Sequence, residues 1–543
     1  MPYSLPLFQF SQMVEQYGDN NYLHQPVNRQ LKSFTWSEVD RQARGVAASL
    51  LSMDFVAGDR ISILSKNCAE WFICDLAIMM AGMISVPIYH TANRETISHI
   101  IEDCQCKAVF VGKLDGVDEA EAGLKAELPR IIFPYPSIDG QHLWSDLIQH
   151  PALEEIHQAN ADDTMSIVYT SGSSGKPKGV VISFLNIASA ATESRKLLGA
   201  KAGDRLISYL PLAHITERSI IEALSYYTGA VVYFVESLET FIDDIKVAQP
   251  NLFASVPRLW NKFQIGVLSK MPDQKLQTLL KIPFIGKLVA KKIRSTLGFN
   301  CCRVLGSGTA PISPSILRWY QRIGIPISEA WGMTETSGMS CSNMPFSSEG
   351  IGTIGRPIPC VEMKLGDSQE ILVKGPAVFK GYYNLPDATE SCFSGEWFHT
   401  GDMGEVTDNG DYKIIGRIKE QFKSAKGKYV TPAPIENLIA MNNDVEQVCV
   451  IGQGRKQPIA LVVMNENNKK RTSSNHSRLE KNLHFVNKKL EKHQRLDHII
   501  VLQDDWTIEN ELLTHTMKIK RSSIESKFAD YLEKEIDQEV FWE

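Results

Sequence analysis

Short apolar runs alternate with helical patterns from about residue 35 to 345, and this rhythm limits the fold more than any other feature. Glu38 to Leu51 reads as a helix, with two Ser/Thr-x-x-acid starts available, Thr35 to Glu38 and Ser37 to Asp40. Arg60 to Leu64 reads as a strand, Ala69 to Met83 as an apolar helix and Lys107 to Val111 as a strand. The pattern resumes with strands over Leu206 to Leu210, Val231 to Val235 and Leu252 to Val256. Between them a helix runs from Ile215 to Tyr227 and stops near Gly229. Pro257 opens another helix, and Ser313-Pro314 supplies an N-cap followed by proline at the first helical position. Such alternation implies parallel sheets covered by helices on both faces. The most apolar stretch, Leu76 to Ile88, is too short to span a bilayer and reads as a buried helix plus strand.

The texture changes after about Gly355. Up to Ile415 the segments are short, and Gly366-Asp367 and Asn409-Gly410 are turn signals between strand-like runs, which predicts a small antiparallel region. After Arg417 a smaller unit begins, with strands over Gln447 to Ile451 and Ile459 to Met464. An exposed polar loop is expected over Asn465 to Ser477 and a terminal helix that includes Ile524 to Ile536. The expected fold class is therefore α/β. A large N-terminal domain (1–417) of helix-covered sheets carries the small antiparallel β region, and a smaller α+β C-terminal domain (418–543) follows. At 543 residues the chain is long enough for at least two domains.

Bulk chemistry excludes some classes. A net charge of -6 gives no electrostatic case for nucleic acid. The ten cysteines show neither metal-site spacing nor a disulfide framework, so reduced thiols in a cytoplasmic protein are expected. Met1-Pro2-Tyr3-Ser4 lacks the charged and apolar blocks of a signal peptide.

The chemistry concentrates in a few segments. Tyr169-Thr170-Ser171-Gly172-Ser173-Ser174-Gly175-Lys176-Pro177-Lys178-Gly179 combines hydroxyls, glycines and lysines after the strand-like Met165 to Val168, with a helical run from about Phe184 beyond it. Glycines let the backbone approach an anion, amides and hydroxyls donate to its oxygens, and lysines neutralise its charge. The common nucleoside-triphosphatase loop needs glycine where this chain has Thr170, and Ser or Thr where it has Pro177. The loop suggests ATP, but in another kind of enzyme.

This stretch resembles the phosphate loop of the adenylate-forming superfamily, which includes acyl-CoA synthetases, luciferases and peptide-synthetase adenylation domains. The resemblance covers about residues 10 to 535 and carries a set of site residues in order. Thr170, Ser171, Gly172, Ser173, Ser174, Gly175 and Lys178 are implied to hold the phosphates. Gly306, Ser307 and Gly308, within Val304 to Pro311, would line the adenine side. Glu329-Ala330-Trp331-Gly332-Met333-Thr334-Glu335-Thr336 resembles the second ATP motif, with Trp331 and Gly332 against adenine, Thr334 on the alpha-phosphate and Glu335 on Mg²⁺. The family usually has Tyr at the Trp331 position. Asp402, in Thr400-Gly401-Asp402, and Arg417 are implied to hold the ribose hydroxyls. Lys419 falls at the hinge position of a mobile C-terminal domain. Lys428 lies in the segment flanking the channel for CoA, where Lys426 replaces a usually small residue. Lys518, in Leu512 to Arg521, falls in the catalytic position, where a compact ammonium would neutralise a carboxylate meeting the alpha-phosphate.

Pro211-Leu212-Ala213-His214-Ile215-Thr216-Glu217-Arg218 resembles the acyl-site motif of long-chain fatty acyl-CoA synthetases, with His214 where the carboxylate meets ATP. The resemblance therefore implies a fatty acid, ATP and CoA as substrates with Mg²⁺, giving acyl-adenylate and pyrophosphate and then acyl-CoA and AMP. Two other readings stay open: transfer of the acyl group to a carrier protein, and a non-catalytic acyl-lipid binding protein on the same fold. Peripheral membrane attachment and a homodimer are left open as well.

Overall fold

The computed structural model describes residues 3–135, 138–170, 176–442, 444–514, 517–534 and 536–543. Its largest sheet has eight strands in the order Gly381–Tyr382, Lys178–Ser183, Thr164–Thr170, Ile84–Ile88, Arg60–Leu64, Ala108–Val111, Arg130–Ile132 and His142–Leu143. From Thr164–Thr170 onward neighbours run parallel, while Lys178–Ser183 and Gly381–Tyr382 are added antiparallel. The helix Ala69–Met80 is buried along its whole length. The apolar stretch at Leu76 thus resolves into the end of this helix, a turn at Gly82 (φ 74°) and the strand Ile84–Ile88. A Cβ at Gly82 would lie 2.7 Å from the His157 ring, so close packing as well as the dihedral requires glycine there.

Thr35, rather than Ser37, caps the helix Trp36–Ser52. Its hydroxyl accepts from Glu38 N, and the Glu38 carboxylate accepts from Thr35 N. The hairpin Asn21–Val27 with Gln30–Thr35 precedes it and joins the sheet that holds Arg205–Ser208 and Val231–Phe234, an addition outside the expected rhythm. The helix expected over Ile215 to Tyr227 forms as Ile215–Glu217, a π-helical segment Arg218–Ala223 and Leu224–Thr228. It ends at Gly229 in the left-handed region. A third sheet places Leu252–Ser255, Val304–Ser307 and Ser328–Met333 in parallel, then adds Gly338–Ser342 and Arg356–Pro357 antiparallel. The region from Glu362 to Arg417 is antiparallel as expected, with the Asn409-Gly410 turn joining Trp397–Val406 to Tyr412–Arg417.

The smaller unit has the sheet Val445–Ile451, Ile459–Met464, Ile499–Leu502 and Val540–Trp542, whose last two pairings are parallel. Two expectations fail here. The polar stretch from Asn465 is not a loop throughout. Glu466–Asn468 forms a 3-10 turn, and Thr472 Oγ1 accepts from Asn475 N to start the helix Ser473–Lys489, which buries Leu479, Leu483 and Val486. The terminal helix also breaks, into Arg521–Lys527 and Asp530–Glu533. Arg455 donates to the carbonyls of Tyr531 and Leu532, and Phe528 packs with Trp506 in the core on that face of the sheet. Satisfying those carbonyls from outside removes the advantage of a further helical turn.

Candidate active site

The segment expected to hold phosphate begins and ends on two antiparallel strands, with Thr170 at the end of one paired in register with Lys178 at the start of the next. Ser171, Gly172, Ser173, Ser174 and Gly175 lie outside the described residues, so the reading of their backbone as an anion cradle stays an expectation. The second strand intervenes before the helix Phe184–Leu198, which Ser183 and Asn186 close with a capping box. The Asn186 amide also donates to Pro376 O and Val378 O at 2.8 and 2.9 Å, tying this helix to the Phe379 segment.

Beside this strand pair lies the Trp331 to Thr336 turn. A Cβ at Gly332 would sit 1.6 Å from Gly338 O, so only glycine lets the two strands close here. Thr334–Thr336 forms one 3-10 turn, and the Thr336 hydroxyl accepts from Met333 N at 3.0 Å. The turn is buttressed from two sides: Ser219 Oγ donates to Ser337 O at 2.7 Å, and Ser337 Oγ to Ala377 O at 2.8 Å. Glu335 is buried, and burial raises its pKa. The Tyr382 hydroxyl donates to Glu335 Oε1 at 2.9 Å and partly offsets that rise. Lys178 Nζ stands over the Tyr382 ring, 5.2 Å from its centre. Tyr382 thereby joins the Lys178 strand to the Glu335 turn, a link without a local sequence signal because its partners are distant in the chain.

Asp402 is the hub of the next group. Its Oδ2 accepts from the Trp331 indole N–H at 2.9 Å, and its Oδ1 meets Arg417 Nε at 2.8 Å. The Asp402 side chain is 6% exposed and that of Arg417 48%, so the carboxylate is fixed while the guanidinium keeps a face open. Trp331 therefore acts through its N–H as well as through an aromatic face. Gly306 and Ser307 end a neighbouring strand. Trp260 Nε1 donates to Gly306 O, and Ser307 Oγ is buried without a hydrogen-bond partner among the described residues. A Cβ at Gly308 would lie 3.2 Å from Ala330 O, so this turn fits closely against the Trp331 strand.

His214 caps the helical turn that follows it, its Nδ1 accepting from Thr216 N at 3.2 Å. Burial and the nearby Lys518 ammonium push its pKa down to about 3. The ring is neutral at physiological pH, and with Nδ1 accepting, the proton is assigned to Nε2. Glu217, in the same motif, is buried and pushed up to about 8, and accepts from Tyr209 N at 2.9 Å.

Lys518 enters from the smaller unit. Leu512 and Leu513 anchor its loop in the core with Trp506, and the chain reverses at Met517 (φ 62°) so that Leu513 bridges Ile519. His515 and Thr516 lie outside the described residues. Arg521 fixes the far side through a two-pronged bond to Glu436 at 2.7 and 2.9 Å. The Lys518 ammonium is lowered to about 8, chiefly by loss of hydration and then by Arg417, against the upward pull of Asp402, Glu335 and Glu420. Lys518 is nevertheless exposed to solvent, which screens these influences. The structure thus brings Trp331, Glu335, Asp402, Arg417, His214 and Lys518 to one place, with Lys178 joined through Tyr382. Lys419, in the 3-10 turn Ile418–Glu420, and Lys428 are exposed, and among the described residues no ion pair ties either to this group.

A model of the AMP-binding enzyme family matches residues 10–383, and one of the AMP-binding enzyme C-terminal domain matches residues 419–539. The chain belongs to the AMP-binding enzyme family. Its curated relatives include long-chain-fatty-acid–CoA ligase FadD15 of Mycobacterium bovis, 29% identical over 92% of this chain and 91% of the relative. Human long-chain-fatty-acid–CoA ligase 1 is 28% identical over 92% of this chain and 82% of its own. Among solved structures, o-succinylbenzoate CoA synthetase from Bacillus subtilis, bound to its acyl-adenylate, superposes with a TM-score of 0.75 at 23% identity, covering 95% of this chain and 97% of that one. The adenylation domain of a Mycobacterium chelonae carboxylate reductase gives 0.81 at 21% identity, covering 98% and 91%. These likenesses establish the fold for this AMP-binding enzyme. No helix among its described residues is long and apolar enough to cross a membrane.

Proposed function

We propose that this AMP-binding enzyme activates a long-chain fatty acid with ATP and transfers the acyl group to CoA. The observation that carries the reading is the position of Lys518: a lysine of the smaller unit shares its electrostatic surroundings with Arg417, Asp402, Glu335 and His214 of the larger one. The long-chain ligases among the curated relatives support the substrate class.

In the first step a carboxylate oxygen attacks the alpha-phosphorus, the bond to the bridging oxygen breaks and pyrophosphate leaves. Two anions must approach, and the Lys518 ammonium offsets their repulsion. The neutral His214 ring offers its Nε2 proton to the acid or the phosphate and leaves the positive charge on Lys518. Asp402 accepts from the ribose hydroxyls while Arg417 and the Trp331 N–H hold it in place. Thr170, Ser171, Gly172, Ser173, Ser174, Gly175, Lys178 and Thr334 take the phosphates, and Gly306, Ser307, Gly308, Trp331 and Gly332 line the base. The unpartnered Ser307 hydroxyl suits that role.

Glu335 fits Mg²⁺ as a single carboxylate ligand, since Mg²⁺ takes one or two carboxylates and completes its shell with phosphates and water. When bound, Mg²⁺ would neutralise charge on the phosphates.

In the second step the CoA thiolate attacks the acyl carbon and AMP leaves. Rotation of a C-terminal domain (418–543) about Lys419 would remove Lys518 and bring the Lys428 segment to the channel. Acid-dependent exchange of labelled pyrophosphate into ATP, followed by acyl-CoA yield across chain lengths, tests the proposal. Exchange with long-chain acids but no thioester with free CoA would favour a carrier protein as acceptor, and absence of exchange with any fatty acid would refute the reading.

A further inference from the structure

The segment 273–296 forms two helices, Asp273–Leu280 and Ile285–Thr296, joined by Lys281-Ile282-Pro283-Phe284. Leu276, Ala290 and Ile293 turn inward and are buried. The opposite side is unusual. Phe284 is 80% exposed, Leu288 67%, Ile285 43% and Ile282 40%, so four large apolar side chains meet water within seven consecutive residues. Other exposed apolar residues, such as Phe8, Val56 and Leu238, are scattered singly along the chain, as on most surfaces. Phe284 also holds a left-handed backbone (φ 67°), which a bulky residue adopts at a cost, while its ring packs against little of its own chain.

The charge around these residues identifies the occupant. Between Asp273 and Thr296 six lysines and arginines stand against one aspartate, in a protein whose net charge is -6. Lys281, Lys287, Lys291 and Lys292 are exposed, and among the described residues none of them forms an ion pair. At helical spacing, Leu288 lies between Lys291 and Lys292 on the solvent face, one turn from Ile285. Apolar side chains rimmed by unpaired lysines match a bilayer surface, with anionic headgroups at the rim and acyl chains beneath. A second copy of this acidic chain would leave the apolar cluster covered but would offer no such ring of phosphates.

We propose that Lys281–Lys292, led by Phe284 and Leu288, is a docking surface for anionic lipid bilayers. The surface lies outside the catalytic group, and its function does not depend on which acid the enzyme activates. The test is co-sedimentation of the full-length protein with vesicles of phosphatidylcholine alone and of phosphatidylcholine mixed with phosphatidylglycerol, at low and high salt. Binding to the mixed vesicles that weakens with salt, and little binding to phosphatidylcholine alone, is expected. K287Q/K291Q should weaken binding about 30-fold at low salt, from about 1 kcal/mol for each lysine near the surface. F284S/L288S should abolish it while leaving ATP–pyrophosphate exchange unchanged. Absence of binding to the mixed vesicles, or equal binding by F284S/L288S, would overturn the proposal. So would self-association that disappears in F284S/L288S without any vesicle binding, because the face would then belong to a second copy.

Discussion

Two of the arginine–carboxylate groups in the larger unit, at Arg218 and at Arg417, are built differently. Arg218 is 3% exposed and meets Asp75 at 2.6 Å and Glu222 at 3.3 Å, with Trp71 below the guanidinium and Ser85 and Ser166 beside it. Arg417 holds Asp402 by one nitrogen and keeps nearly half of its side chain open. The first group is enclosed by protein, and its charges are met by one another, by the Ser85 and Ser166 hydroxyls and by the Tyr226 hydroxyl. The second has a fixed carboxylate, an indole donor and a cation with capacity to spare. An ion pair enclosed by protein is an architectural feature, whereas a fixed carboxylate whose cation keeps an open face offers room for a ligand.

The contrast is most directly broken at Arg218. Replacing it by Met leaves Asp75 and Glu222 buried without their cation, and stability should fall by about 3–5 kcal/mol in denaturant unfolding. A variant as stable as the parent would show that the closed group is not structural. Lys518→Ala should do the reverse. Unfolding should be unchanged, while adenylate formation falls by roughly 10²–10³-fold, as for loss of one transition-state donor, and thioester formation from supplied acyl-adenylate is spared. Equal loss in both half-reactions would remove Lys518 from the first step.

Titration sharpens the comparison at the open group. With the Lys518 pKa lowered to about 8, the ammonium is present below that value and is lost above it. The adenylation rate measured as kcat/KM should therefore fall about tenfold per pH unit above roughly pH 8. In Lys518→Arg the guanidinium does not titrate in this range, so that fall should disappear even if the rate is lower. The smallest effect is expected at Trp331→Phe, which keeps an aromatic face but removes the 2.9 Å bond to Asp402. The KM for ATP should rise about tenfold, in line with loss of a hydrogen bond to a charged group, with little change in kcat. An unchanged KM would mean that Arg417 alone fixes Asp402.

Much of the fold could be read from local patterns. The Thr35 cap, the apolar helix before Gly82, the stop at Gly229 and the Asn409-Gly410 hairpin are short-range signals, and each appears where its chemistry acts. The helix Ser473–Lys489 was not expected: Leu479, Leu483 and Val486 carry its apolar spacing, but they stand among polar residues that read as a loop. The terminal helix failed for another reason: Arg455, some 76 residues upstream of Tyr531, takes carbonyls that a longer helix would have used. The site divides in the same way. Gly332, Asp402, Arg417 and Lys518 stand out as motifs, while Tyr382 and the Ser219–Ser337 bond have no local signature.

By itself, the sequence determined most of the helices and strands and which residue types carry charge, because capping, turn and periodicity effects act within a few residues. Only the tertiary structure decided that a lysine from the smaller unit stands with Arg417, Asp402 and Glu335, and that Phe284 and Leu288 face water. Burial and electrostatic pairing depend on distances between segments far apart in the chain, and no local pattern encodes those distances.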